Sequence, residues 1–340
     1  MSERIVAETI LGESRAIREV RALVAKVAPR NIPVLIQGAT GSGKELVAMA
    51  LHQLGGRSGA FVPFNTCAIA EGLFEAAIFG QVRGAFTGAT GSLRGYLAEA
   101  HRGTAFFDEI SGLNFALQAK LLRAVETREF RPVGARENTR SEFRLVAATN
   151  EDVDALVRAG RFRSDLAHRI SGLVIELPAL RDRLEDIPIL ARHFGLLSTL
   201  HGRQPVELAE CAIGVLADYD WPGNVRELRQ VIESAIILSD DCVQRLTGTD
   251  IHRALGRRNA SREQSHAFQS SARREALADV LERHSGSVGM AAGEIGRSQA
   301  TVYRWMKELG LHGPGSGRRR ADTRFVNGNG EFSSGGENSH

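Results

Sequence analysis

The sequence predicts an α/β fold with a parallel sheet, continued by a helical segment and closed by a small all-α domain. Three observations support this. Apolar, strand-like runs at Ile32–Ile36, Ala60–Asn65, Gly103–Glu109 and Phe143–Asn150 are separated by stretches of helical character. From Leu184 to about Ala254 the pattern becomes helical. Three short helical patterns then fill Ala272–Leu311. A length of 340 residues suits two or three domains, and an apolar fraction of 43% supplies an ordinary core.

In chain order, a lead-in helix is expected over Ser14–Val27, because Ile17, Val20, Val24 and Val27 recur at helical spacing. The first core strand follows, and Gly38-Ala39-Thr40-Gly41-Ser42-Gly43-Lys44 begins at once. A helix-like run, Glu45–Leu54, comes next. Strand, glycine loop and helix form the setting a phosphate-binding loop requires. The glycines let backbone N–H groups turn inward around an anion. The helix start adds further N–H groups and a positive dipole end. Lys44 would reach the β- and γ-phosphates. A glycine turn that binds nothing is the alternative, and both spacing and context weigh against it. Glu45 stands where a Ser or Thr would offer its hydroxyl to Mg²⁺.

Ala60–Asn65 reads as a second strand. The Asn65 amide at its end is either a turn residue or a group pointing into the cleft of an open sheet. Gly84-Ala85-Phe86-Thr87-Gly88-Ala89 has glycines on either side of an aromatic. Such a stretch can make a tight excursion with Phe86 at an exposed tip. Composition alone favours a plain turn with Phe86 tucked into the core. Gly103–Glu109 is an apolar strand ending in two carboxylates. After a phosphate loop, Asp108 is expected to hold Mg²⁺ and Glu109 to polarise the attacking water; a helix cap is the alternative. Phe143–Asn150 ends in Thr149 and Asn150, which are placed to sense a γ-phosphate. Between these strands lie a helix over Leu117–Glu126 and a hairpin insertion at Phe130–Gly134. Gly160–Arg169 is arginine-rich. Arginine offered across a subunit boundary can stabilise charge in phosphoryl transfer, whereas a lone arginine more often makes a surface salt bridge.

Trp221–Leu228 punctuates the helical segment with a turn, and Gly256–Ser271 is polar and reads as a linker. In the last domain, helices are expected over Arg273–His284, Val288–Ile295 and Ser298–Leu309, with a Gly296-Arg297 turn and Ser298 as N-cap. Val302, Met306 and Leu309 share one face, while Gln299, Thr301, Arg304 and Lys307 lie largely off it. This is the pattern of a helix-turn-helix. A generic three-helix module is the alternative, and the basic flank favours DNA. Gly313–His340 has little apolar content and is expected to be disordered.

Net charge is only +3, yet Arg257-Arg258, Arg273-Arg274 and Arg318-Arg319-Arg320 make the C-terminal third basic, which suggests a polyanion partner there. Cys67, Cys211 and Cys242 lie far apart, make no metal spacing and read as reduced thiols. No apolar run approaches membrane-spanning length, and the N-terminus lacks a secretory pattern. A soluble, cytoplasmic protein without a membrane role is expected. His168 and His193 read as surface or packing residues.

Together the stretches resemble the bacterial sigma-54-dependent transcriptional activators, over about residues 9–311. Gly84–Ala89 matches that family's GAFTGA signature, which reverses the plain-turn reading. Further matches are Gly43-Lys44-Glu45, Asp108-Glu109-Ile110, Ala147–Asn150, Phe162-Arg163, Leu177–Pro188 and Trp221–Leu228. The resemblance implies an AAA+ ATPase subdomain over 1–180, a helical lid over 181–255, a linker over 256–271, a Fis-type helix-turn-helix over 272–311 and a tail over 312–340. It further implies a ring, most often a hexamer, with ATP and Mg²⁺ between subunits. By position, Gly38–Glu45 cradle the nucleotide, Lys44, Asp108 and Glu109 bind and hydrolyse it, and Asn65 restrains Glu109. Thr149 and Asn150 match the first sensor and Arg226 the second. Arg163 and Arg169 match the arginines offered to a neighbour. Gly84, Ala85, Phe86, Thr87, Gly88 and Ala89 would touch the sigma-54 RNA polymerase holoenzyme. Arg297, Ser298, Gln299, Thr301, Arg304 and Lys307 would meet enhancer DNA. The chain departs from the family at Gln81-Val82-Arg83, which replaces a more usual His-Glu-Lys and removes a carboxylate. With no sensory domain ahead of the ATPase, control by expression level or by a protein acting in trans is expected.

Overall fold

The computed structural model describes residues 9–66, 69, 71–85, 91–197, 205–239, 244–284, 286–295, 299–309 and 311. Over 259–275 and at 300, 307 and 308 it describes the backbone alone. The chain divides into two units, Met1–Arg258 and Asn259–His340.

The first unit opens with α1 (Arg15–Val27), where Ser14 is the cap. Its hydroxyl accepts from the Ile17 N–H, and Ile17, Val20, Val24 and Val27 form the buried face. Then follow β1 (Val34–Gly38), α2 (Lys44–Leu54), β2 (Phe61–Asn65), α3 (Phe74–Phe79), α4 (Tyr96–Glu99) and β3 (Thr104–Asp108). After these come α5 (Phe115–Thr127), β4 (Glu129–Phe130), β5 (Thr139–Arg140), β6 (Arg144–Thr149), α6 (Val153–Arg158), α7 (Ser164–Ile170) and β7 (Val174–Leu177). Five strands form one sheet in the order β2-β3-β6-β1-β7, and every pairing is parallel. Every residue of β6 is buried, as expected for a strand covered on both faces. Leu145 and Ala147 pack into one core with Phe64, Phe107 and Phe143, while Val146 and Ala148 face the other with Ile17, Ile36 and Phe106. The edge strand β7 has no counterpart among the strands the sequence suggests: four residues with alternating burial give a weak signal beside a glycine.

Arg144, at the start of β6, is 1% exposed. Its guanidinium donates to the carbonyls of Val27 and Ala28 at the end of α1, to Leu51 in α2 and to Ile32. These include orphan carbonyls that helix ends leave behind. Burial, with the nearby Arg57 charge, pushes its pKa down to about 10, so it remains a cation at neutral pH.

The helical part contains α8 (Ile187–Leu196), β8 (Glu207–Leu208), α9 (Glu210–Ala217), α10 (Asn224–Leu238), β9 (Arg245–Leu246) and the start of α11 (Gly248–Arg283). Leu190, Leu216, Trp221, Leu228, Ile232 and Ile251 are buried in its core. The buried Asp186 carboxylate just before α8 accepts from the Glu13 and Ser14 N–H groups and from the Ser14 hydroxyl, at 2.6–2.7 Å. Gly12 must be glycine there: its φ is +138°, and a Cβ would lie 2.7 Å from that carboxylate.

Residues 256–271, polar enough to read as a linker, lie inside α11. Arg, Gln, Glu and Ala all favour helix, so low apolar content did not signal irregular backbone. In the second unit the end of α11, α12 (Val288–Ile295) and α13 (Gln299–Glu308) surround Leu277, Leu281, Val288, Ala291, Val302 and Met306.

Candidate active site

The loop between β1 and α2 closes over itself because two glycines take left-handed backbone, Gly41 at φ +78° and Gly43 at φ +107°. A Cβ at Gly41 would come within 2.4 Å of the Gly223 carbonyl, which belongs to the helical part. Lys44, in the first turn of α2, is 6% exposed. Its ammonium donates to the carbonyls of Gly38 at 3.0 Å and Ala39 at 3.5 Å, and to Glu109 Oε1 at 3.3 Å. Lys44 and Glu45, whose N–H groups open α2 and have no acceptor within the helix, line the cleft beside the loop.

β3 delivers Asp108 and Glu109 beside the loop. Burial first, and the neighbouring Glu109 charge second, raise the Asp108 pKa above the ordinary carboxylate value, with Lys44 opposing. Glu109 adopts left-handed backbone at φ 53°, a strained state for a side chain with a Cβ. The Thr66 hydroxyl donates to the Glu109 carbonyl at 2.6 Å, and the Asn150 N–H donates to Glu109 Oε2 at 3.2 Å. The Asn65 amide donates to Asp108 Oδ2 at 3.1 Å, so the bond seen here reaches the first carboxylate of the pair. Thr149 is fully buried; its hydroxyl donates to Ser111 Oγ and accepts from the Glu151 N–H. Asn150 reaches the loop itself, its amide donating to Thr40 Oγ1 at 3.0 Å.

These groups line one cleft of about 670 Å³. Asn65, Asp108, Glu109, Asn150 and Arg161 form one wall, and Phe194, Arg226 and Arg229 come from the helical part. Arg163 and Arg169 are not among its lining residues. Arg163 lies over the Phe115 ring and pairs with both oxygens of Asp165 at 2.8 and 3.0 Å. Arg169 is exposed.

The Trp221–Leu228 turn docks the helical part on the loop. Asn224 is 3% exposed with φ 53°. Its amide donates to the Thr40 carbonyl at 3.0 Å and accepts from the Leu180 N–H at 2.8 Å. The Arg226 N–H donates to the Gly41 carbonyl at 3.2 Å. Behind the loop, the buried Arg183 donates to the Ser42 carbonyl at 2.9 Å. Asn224, Arg183 and Thr66 carry no role in the sequence analysis. The first two lie within the quoted stretches Trp221–Leu228 and Leu177–Pro188, but only the fold reveals whom they touch.

The glycine excursion is described at Gly84 and Ala85; Phe86, Thr87, Gly88 and Ala89 lie outside the described residues. Its base is held firmly. Gln81 and Leu93 exchange two backbone hydrogen bonds, and Val133 exchanges two with Gly80 and Val82. A Cβ on Gly134 would sit 2.9 Å from the Ala85 Cα. The base of the excursion, up to Ala85, therefore lies against the β4–β5 insertion at Val133 and Gly134. In α13, Gln299 and Arg304 are exposed and Thr301 is half-buried. Lys307 is described in backbone only, and Arg297 and Ser298 lie outside the described residues. Among the described residues no cluster of His, Cys, Asp and Glu could hold a metal ion. None of the described helices is long and apolar enough to cross a membrane.

A five-stranded parallel sheet, a glycine loop with its lysine, two carboxylates and a docked helical lid define the AAA+ class of P-loop proteins. Comparison narrows the class. The sigma-54 interaction domain matches residues 10–176, and the AAA+ ATPase lid domain matches residues 181–268. ZraR of Escherichia coli, a transcriptional regulatory protein, is 38% identical over 86% of this chain and 67% of its own length. The transcriptional regulator VasH of Vibrio cholerae is 43% identical over 72% of this chain, which spans only 46% of that relative. Among solved structures, NtrX from Brucella abortus with bound ADP superposes with a TM-score of 0.66 at 29% identity, covering 88% of this chain and 70% of that one. The chain belongs to the family of sigma-54-dependent transcriptional regulators.

Proposed function

We propose that this protein is an ATP-hydrolysing activator that binds enhancer DNA and remodels the sigma-54 RNA polymerase closed complex into an open one. The observation that carries the reading is one framework holding two motifs. The cleft formed by Lys44, Asp108 and Glu109 and the described base of the Gly84–Ala89 stretch belong to the same sheet-based unit. The related NtrX was solved with ATP and with ADP, which supports a nucleotide in the equivalent cleft here.

The residues fit that ligand. The loop geometry is one only glycine adopts readily at 41 and 43, and the Lys44 ammonium stands at its mouth. Asp108 and the nucleotide's own oxygens would hold Mg²⁺, which neutralises charge on the transferring phosphoryl group. Glu109 polarises the attacking water, a role supported by its half-buried carboxylate, held between Lys44 and the Asn150 N–H at the cleft wall. Asn65 acts on the carboxylate pair, and its bond to Asp108 supports that place. Asn150 senses the phosphate from its seat on Thr40, with Thr149 bracing the turn behind it. Arg226 closes the cleft from the lid. Arg163 and Arg169 serve a neighbouring subunit's nucleotide in a ring, a reading supported by their absence from their own cleft's lining. Phe86 and Thr87 carry the contact with sigma-54. The second unit binds DNA through Gln299, Thr301 and Arg304, together with Arg297, Ser298 and Lys307, at the nucleoid in the cytoplasm.

ATP turnover and enhancer footprinting by the full chain test the reading. Glu109→Gln is expected to abolish turnover while keeping nucleotide binding. Arg304→Ala is expected to weaken the footprint and leave turnover intact. Full turnover in Glu109→Gln would remove the assigned chemistry.

A further inference from the structure

Behind the cleft the lid contains a fully buried carboxylate that the roles above leave unused. Glu227, next in sequence to Arg226, has 0% exposure. Its Oε2 accepts from the Gly223 N–H at 2.6 Å, and its Oε1 pairs with Arg258 Nε at 3.1 Å. Arg258 stands on α11 with its side chain 30% exposed. A buried carboxylate is tolerated only when paired and hydrogen-bonded, so this pair fixes where the Gly223 backbone sits. Gly223 in turn borders the phosphate loop: its carbonyl is the atom a Cβ on Gly41 would strike. One residue further on, Asn224 holds the Thr40 carbonyl, and Arg226 holds the Gly41 carbonyl.

We infer that Glu227 and Arg258 are a positioning pair for the nucleotide site, setting the lid turn, and with it Arg226, against the phosphate loop from the far side of the lid. The inference rests on reading the cleft as an ATP site. Neither residue touches that cleft. Arg258 acts through Glu227, and Glu227 acts through the Gly223 N–H. When Arg258 is removed, the buried carboxylate loses the partner that holds its Oε1 in place. It is then drawn toward solvent, and the turn moves with it.

The test is equilibrium binding of a slowly hydrolysed ATP analogue to the full chain, with melting temperature measured on the same samples. Residues joined in one network couple strongly enough that Arg258→Gln is expected to weaken binding about tenfold. Arg258→Lys, which restores the charge, should recover most of the loss. Arg253→Gln, at an exposed arginine on the same helix, should bind like the wild type. Glu227→Gln combined with Arg258→Gln should bind no worse than the more impaired single variant. Wild-type affinity in Arg258→Gln overturns the inference and leaves the ATPase reading standing. So does an equal loss in Arg258→Lys and Arg258→Gln with melting lowered equally in both, because the arginine would then be structural only. A wild-type chain that binds no nucleotide overturns the ATPase reading and this inference with it.

Discussion

Replacing Gly41 by alanine separates two things the phosphate loop asks of that position. The first is backbone. At φ +78°, a residue with a Cβ loses about 1 kcal/mol relative to glycine. The second is space. The new Cβ would lie 2.4 Å from the Gly223 carbonyl, roughly 1 Å inside an ordinary van der Waals contact. The lid turn must retreat by about that distance, and the bonds from Asn224 to Thr40 and from Arg226 to Gly41, at 3.0 and 3.2 Å, cannot follow. Each is worth about 1 kcal/mol. The expected total is near 3 kcal/mol, or a melting temperature lower by roughly 6–12 °C for a unit of this size. Gly56 is the control. Its φ is +61°, and nothing lies within 4 Å of a Cβ placed there. Gly56→Ala carries the backbone cost alone, about 1 kcal/mol. Scanning calorimetry of the two variants therefore reads the contact cost as their difference. Equal shifts would refute the claim that the lid turn bears on the phosphate loop.

Three further outcomes follow from the same geometry. Arg144→Met should destabilise the chain by at least about 3 kcal/mol in urea unfolding, because several buried carbonyls lose their donor at once; a loss below about 1 kcal/mol would contradict its capping role. Asp108 has its folded pKa raised, so ionising it opposes folding, and the cost appears as pH rises past the unfolded value. In the nucleotide-free chain Asp108→Asn should therefore melt higher than the wild type at neutral pH, and the gain should fade as pH falls below about 4; a gain independent of pH would point elsewhere. Lys44→Ala should eliminate nucleotide binding measured by calorimetric titration, and retained affinity would displace Lys44 from the phosphate site.

Much of this site is legible in the sequence because its parts are contiguous. The glycine loop, the Asp108-Glu109 pair and the Thr149-Asn150 end each follow a strand, and parallel topology brings strand ends to one edge. The lead-in helix is readable from its apolar face, a local signal; Ser14, expected as its first residue, is instead its cap. What escaped is non-local. Asn224 and Arg183 act on Thr40 and Ser42, more than 140 positions away in sequence, and no local pattern announces such a partner. Arg144 looks like a polar fault in an apolar strand until the ends of two helices are seen above it. The short edge strand β7 lacked the length to stand out. The polar run 256–271 showed the opposite difficulty: charged residues that keep a segment out of the core also build good helix.

In the proposed function, hydrolysis in the Lys44–Asp108–Glu109 cleft drives promoter opening through the Gly84–Ala89 stretch. Open-complex formation on a sigma-54 promoter, with polymerase, the full chain and ATP, tests it most directly when Thr87→Ala is run alongside. The account predicts opening that requires hydrolysable ATP and is lost in Thr87→Ala, while that variant still turns over ATP. Opening that survives in Thr87→Ala, or that proceeds with a non-hydrolysable analogue, would contradict it.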